Sequence, residues 1–145
     1  MPGGMNHVSR SPLHWPVFAF AWALPVVLVL LRRFTVPDPS GLATHEQLGL
    51  APCRFRALFG VPCPGCGVTT AVSHLSHGHP LLALEAQPLG FVIGVLALLL
   101  PLVATLRVVR GADLGADVAR AARPRLAVVA AALVLAAWAY QLLRA

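Results

Sequence analysis

Three long apolar runs, each broken off by arginine, dominate the pattern of hydrophobic and polar positions along the chain. The first covers residues 13–31, carries no charge after His14 and stops at Arg32-Arg33. The second covers residues 89–106, and the third covers residues 126–143, bracketed by Arg125 and Arg144 with Trp138 and Tyr140 near one end. A helix of about 18 residues rises about 27 Å, enough to cross the hydrocarbon core of a bilayer. None of the runs offers a polar face at helical spacing, so a buried helix of a soluble core fits them poorly. Pro25 and Pro101 fall inside the first two runs. In water an interior proline costs about 3 kcal/mol, but membrane helices tolerate it where neighbours satisfy the freed carbonyl. The pattern predicts an all-α integral membrane protein with three transmembrane helices. The first run starts like a secretory signal, yet it ends in Leu30-Leu31-Arg32-Arg33 rather than in small residues, which predicts a retained anchor.

Residues 32–88 have a different texture. Pro37, Pro39, Ser40 and Gly41 make a turn-rich opening, followed by Cys53, a short apolar run, Cys63-Pro64-Gly65-Cys66-Gly67 and two short helical pieces at 68–77 and 81–87. In the first piece Val68, Ala71, Val72 and Leu75 share one side at helical spacing, and Thr70, Ser73, His74 and His77 share the other. That spacing predicts an amphipathic helix with a solvated polar face, ended by Gly78 and Pro80. Too polar to span and too apolar to float free, the segment is expected to lie in the membrane interface or dip into it. The expected organisation is a tail at 1–12, spans at 13–31, 89–106 and 126–143, a cysteine-containing interfacial loop at 32–88 and an arginine-rich loop at 107–125.

Composition sharpens the class. Apolar residues are 58% of the 145-residue chain and charged residues 11%, against about 25% in soluble domains. All eleven cations are arginines, and the net charge of +6 is gathered in blocks that bracket the apolar runs. Such blocks are membrane-interface anchors rather than a nucleic-acid surface, and no nucleic-acid reader motif is present. Near the spans, six arginines (Arg10, Arg107, Arg110, Arg120, Arg123, Arg125) fall on the N-terminal side and three (Arg32, Arg33, Arg144) on the other. This balance favours a cytoplasmic N-terminus. The bilayer is the first partner. Three short spans bury little surface, so self-association or another membrane subunit would add to it.

The cysteine turn is the densest chemistry. Pro64 presets φ for the second position of a β-turn, and Gly65 is expected to take the positive φ of a type II turn at the third. Such a turn brings the α-carbons of Cys63 and Cys66 within about 7 Å, at the edge of disulfide reach and suited to a shared metal. Gly67 would then free backbone N–H groups to bond the sulfurs. A closed zinc site takes four ligands. Cys53, Cys63 and Cys66 supply three, and His45 or His79, on flexible segments, are better placed for the fourth than His74. That histidine lies about 12 Å along the helix from Cys66. His74 and His77 are read as a solvated face. No cofactor is firmly implied, and zinc is the first candidate, with copper behind it.

A thiol–disulfide role competes. Cys66 at a helix start is expected to be thiolate-like, with Cys53 resolving a mixed disulfide. A static bridge or a turn packed for shape competes as well. The acids Asp38, Glu46, Glu85, Asp113 and Asp117 all lie outside the spans, which removes the usual sign of an ion path. No activated serine, zinc-protease motif or phosphate loop is present. The sequence leans away from an enzyme. It favours a structural or accessory membrane subunit, with a membrane thiol–disulfide oxidoreductase or a zinc- or copper-binding membrane protein as alternatives.

The run from Cys53 through Cys63-Pro64-Gly65-Cys66-Gly67-Val68-Thr69 resembles the signature of a bacterial membrane family of unknown function, numbered 2752 among such domains. Its members pair a first cysteine with a Cys-Pro-x-Cys-Gly-x-Thr turn, then a short helix and a hydrophobic span opening with Asn-Pro. Cys53, Cys63, Cys66, Gly67 and Thr69 match position by position, and the resemblance covers roughly residues 51–106. Thr70 stands where an arginine is usual, and Gln87-Pro88 stands for Asn-Pro. The resemblance implies an architecture and no established activity.

Overall fold

The computed structural model describes residues 10–144; most of the expected N-terminal tail, residues 1–9, lies outside them. Seven helices follow in order: α1 (His14–Phe34), α2 (Arg54–Phe59), α3 (Val68–Ser76), α4 (Pro80–Ala86), α5 (Pro88–Val109), α6 (Leu114–Ala121) and α7 (Pro124–Arg144). A 3-10 turn at Thr44–Leu48 precedes α2, and no strand occurs among the described residues. Three of the helices, α1, α5 and α7, are long and apolar enough to cross a membrane. The protein is an all-α, multi-pass membrane protein with its cysteines in the loop between the first two spans. The sequence pieces at 68–77 and 81–87 correspond to α3 and α4. By contrast α2, α6 and the 3-10 turn were not anticipated, because five to eight residues are too few to show a period.

α1 and α5 run antiparallel. Leu28 packs with Ala97 near one end, and Ala21 packs with Ala104 and Leu114 towards the other. Between them, Trp22 Nε1 donates to Thr105 Oγ1 at 3.3 Å. The cysteine loop sends α3 into the angle of this pair, where Val72 joins Leu28, Leu31 and Ala97 in one apolar cluster. Ala97 lies about 14 Å down α5 from Pro88. The loop therefore dips between the spans, and it does so as a helix shielded by helices, which keeps its backbone groups paired. Gly90 makes the close approach feasible: a Cβ there would stand 2.8 Å from Ala71 Cβ and 2.9 Å from Val68 Cα.

This packing corrects the reading of α3 as a helix with a solvated polar face. Thr70 and Ser73 are fully buried. Ser73 Oγ shares a 2.9 Å hydrogen bond with Thr35 Oγ1, whose hydroxyl also reaches the Leu31 carbonyl at 2.7 Å. Hydroxyls that bridge two elements can face an apolar interior without a large desolvation cost. Only His74 and His77 on that side keep partial exposure.

α6 closes the opposite end. Asp113 caps it through the N–H groups of Gly115 and Ala116, at 2.9 and 3.5 Å, and also receives the N–H and hydroxyl of Ser11, at 2.6 and 2.8 Å. The Ser11 backbone N–H, before other contributors, holds the Asp113 carboxyl down at about 2. Arg107 grips Asp117 in a fork of 2.9 and 2.7 Å, and Arg120 adds a bond of 2.6 Å. α7 is the least embedded span: of its residues only Ala137 and Gln141 are buried. Its C-terminal end is nevertheless fastened to the cysteine loop. Trp138 Nε1 donates to the Pro62 carbonyl at 2.9 Å, Gln141 Nε2 to Ala86 at 2.6 Å and the Tyr140 hydroxyl to Glu85 at 2.9 Å, where Arg144 also bonds.

Candidate metal centre

Cys53 sits in extended backbone at the entry of α2, which Gly60 ends at φ +72°. The chain then passes Val61 and buried Pro62 into the cysteine turn. Cys66 N donates to Cys63 O at 3.0 Å and Val68 N to Gly65 O at 3.2 Å, so two overlapping turns, 63–66 and 65–68, lead into α3. The expectation of a positive φ at Gly65 is overturned. Gly65 is not among the left-handed glycines; Gly67 is, at φ +85°. The positive φ falls instead at the third position of the second turn, where Gly67, the N-cap of α3, takes the value a type II turn demands. A Cβ on Gly67 would meet Gly41 O at 2.9 Å, Gln141 Nε2 at 3.1 Å and Gln87 Cβ at 3.3 Å. On Gly65 it would meet nothing nearer than Cys63 Sγ at 3.9 Å.

The turn and the α2 entry bring the three sulfurs of Cys53, Cys63 and Cys66 within 4.8 Å of one another, and all three thiols are free. One N–H···S bond is present, from Cys63 N to Cys66 Sγ at 3.3 Å. The thiols are unequal. Burial, followed by the Cys63 thiol, pushes Cys66 up to about 12. The backbone N–H of Arg56, with smaller help from the Cys66 and Cys63 thiols, brings Cys53 down to about 7. The expectation that Cys66 would be the thiolate is therefore corrected: Gly67 occupies the cap of α3 and Cys66 lies buried behind it. Cys53 is the residue at the N-cap of α2 instead, with the nearby Arg56 N–H as its largest influence.

Side chains from two spans hold the frame. The Pro62 and Pro64 carbonyls, which flank Cys63, accept from Trp138 Nε1 and from Gln87 Nε2 at 3.3 Å. Gln87 is fully buried and its Oε1 accepts from Gly90 N at 2.8 Å, so one amide caps α5 and ties it to the turn. These supporting roles of Gln87, Trp138 and Gln141 were missed from sequence. The available signals were the amide directly before Pro88 and the lone amide in an apolar run.

The histidines separate into two places. His45, on the 3-10 turn, is half-buried and lines a cavity of about 330 Å³ together with Cys53 and Cys66. His74, His77 and His79 gather at the far end of α3, with the His74 and His79 rings 6.4 Å apart and His77 Nδ1 2.8 Å from Ser73 O. Burial, then His79 and His77, lowers the His74 pKa. The chemistry of the donor set suits a soft ion. Three thiolates around a tetrahedral zinc, each at about 2.3 Å, stand about 3.8 Å apart, so a small inward rotation of the side chains completes the convergence.

Residues 53–101 match the model of a family described as a protein of unknown function, DUF2752. No curated protein and no solved structure matches the chain. The matched segment opens on Cys53 and ends within α5, so it contains the whole thiol cluster, α3 and the glycine-lined stretch of α5 against which α3 packs. Through these residues the chain is similar to the DUF2752 family.

Proposed function

We propose that this is a structural membrane protein whose interfacial loop is clamped by a zinc ion held on Cys53, Cys63 and Cys66. The observation that carries the reading is the convergence of three free sulfurs within 4.8 Å. A disulfide would use two of them and strand the third, whereas one thiophilic ion uses all three. The ion needs thiolates, so its binding releases protons and strengthens as pH rises. Cys53 ionises before Cys66, whose proton is displaced to solvent as the metal binds. With the ion bound, the turn is fixed to the entry of α2, and the carbonyls of Pro62 and Pro64 carry that order to α7 and α5. The arginine balance supports a cytoplasmic N-terminus, which puts the thiol end on the outer face of a bacterial inner membrane. Association with a second copy or another membrane subunit would cover the outward face of α7.

Elemental analysis of protein purified without chelator tests the reading, paired with thiol counting after denaturation. One zinc per chain and three free thiols are expected. One copper per chain would change the metal and keep the site. No metal with two thiols oxidised would replace the clamp by the second reading, a membrane thiol–disulfide oxidoreductase. That reading draws its support from the lowered pKa of Cys53 beside an open cavity. Labelling of Cys53 in intact cells by a membrane-impermeant thiol reagent tests the orientation; labelling only after permeabilisation would reverse it.

A further inference from the structure

Three thiolates leave one position of a tetrahedral ion to be filled. The cavity beside the cluster shows what is at hand. Leu42, His45 and Glu46 form its wall on the side of the 3-10 turn, and Cys53, Arg56 and Cys66 face them. Arg56 carries a permanent positive charge and repels a cation. Glu46 is exposed and offers a hard oxygen. His45 is half-buried and offers an imidazole, a usual companion of three thiolates on zinc. We infer that His45 is the fourth ligand, closing a site of three cysteines and one histidine, an inference that rests on the zinc reading above.

The fold sets His45 on that wall. Thr44 beside it is fully buried and its hydroxyl accepts from Asp38 N at 2.9 Å. Two residues on, the Gln47 amide pairs with both the N–H and the carbonyl of Val36, at 2.9 and 2.7 Å. The 3-10 turn is thus pinned on both sides of His45, which leaves the imidazole to close across the cavity towards the sulfurs. The ligand order His45, Cys53, Cys63, Cys66 would join the 3-10 turn, α2 and the cysteine turn at one node. The arrangement is closed, as in structural zinc sites, with no position left for a substrate.

Cobalt(II) reports coordination directly. The full chain in detergent, reduced and freed of metal, is titrated with cobalt(II), then competed with zinc. Thiolate-to-cobalt charge-transfer bands and strong visible bands of a four-coordinate ion are expected. His45→Ala should keep the charge-transfer bands, change the visible bands and weaken zinc by about 10-fold or more. His45→Cys should restore the four-coordinate spectrum, and Glu46→Ala should match the parent. If His45→Ala leaves both spectrum and affinity unchanged, His45 is not a ligand. If Glu46→Ala produces the loss instead, the fourth ligand is the carboxylate. Absence of charge-transfer bands in the unmodified chain would overturn the three-thiolate reading itself, a failure distinct from the loss of His45.

Discussion

The two ends of the helix bundle are held by different chemistry. At the end closed by α6 most fastenings are charged and partly open to water, Arg107 and Arg120 on Asp117 and Ser11 on Asp113, beside one buried bond from Leu114 N to His14 Nδ1. At the cysteine end they are mostly neutral and convergent. Carbonyls of Pro62, Pro64, Glu85 and Ala86 accept from Trp138, Gln87, Tyr140 and Gln141, and the three thiols close behind them. Exposed ion pairs contribute little and weaken in salt. Hydrogen bonds with a buried partner are costly to leave unmade. The contrast teaches that the cysteine end is built to one geometry, while the arginine pairs at the other end tolerate adjustment.

The sharpest way to break this contrast is at Gly67. Gly67→Ala places a side chain at φ +85° against the Gly41 carbonyl, and left-handed strain alone costs about 1–3 kcal/mol. We expect a large fall in the melting temperature of the detergent-purified protein, while Gly65→Ala stays near the parent. Equal losses at the two glycines would contradict the turn geometry. Next comes Gly90→Ala, which forces a methyl against the backbone and Ala71 of α3 and should cost about 1–3 kcal/mol, as overpacking does. Gly94→Ala meets only the tip of Leu75, so it should cost less, and the reverse order would deny that α3 is wedged at Gly90.

A pH experiment separates the thiols. The Cys53 pKa is lowered from 9.0 to about 7 in the folded state. Its stabilising contribution is therefore complete above the unfolded value and is lost as pH falls through about 7. In metal-free, reduced protein, alkylation followed by mass spectrometry should show Cys53 reacting first with a midpoint near pH 7 and Cys66 last. A common midpoint for all three would remove the asymmetry. The smallest effect is expected at the other end. Asp117→Asn should cost less than about 1 kcal/mol, and less again in high salt; a salt-independent loss would make that end as rigid as the cysteine end.

Much of the architecture was legible because membrane spans are written in composition: long uncharged runs and bracketing arginines suffice. The thiol cluster was legible from the spacing of Cys63 and Cys66, with Cys53 as the third member. What failed did so for local reasons. Pro64-Gly65 reads as a lone β-turn, but a second turn overlaps it and takes the left-handed residue at Gly67. The period of α3 separates its two faces without telling whether Thr70 and Ser73 meet water or the protein interior. The acidity of Cys53 over Cys66 depends on burial and on the Arg56 N–H, and neither is visible before α2 is in place. Gln87 and Gln141 are single amides whose partners lie 23 and 55 residues away, beyond any local pattern.

The zinc clamp is tested most directly by thermal unfolding of the reduced, detergent-purified chain, with saturating zinc and with chelator. An ion that binds the folded state raises its stability by mass action. The clamp predicts a clear rise in melting temperature with zinc for the unmodified chain and none for Cys63→Ser. Identical melting temperatures with zinc and chelator, or an equal rise in the Cys63→Ser variant, would contradict it.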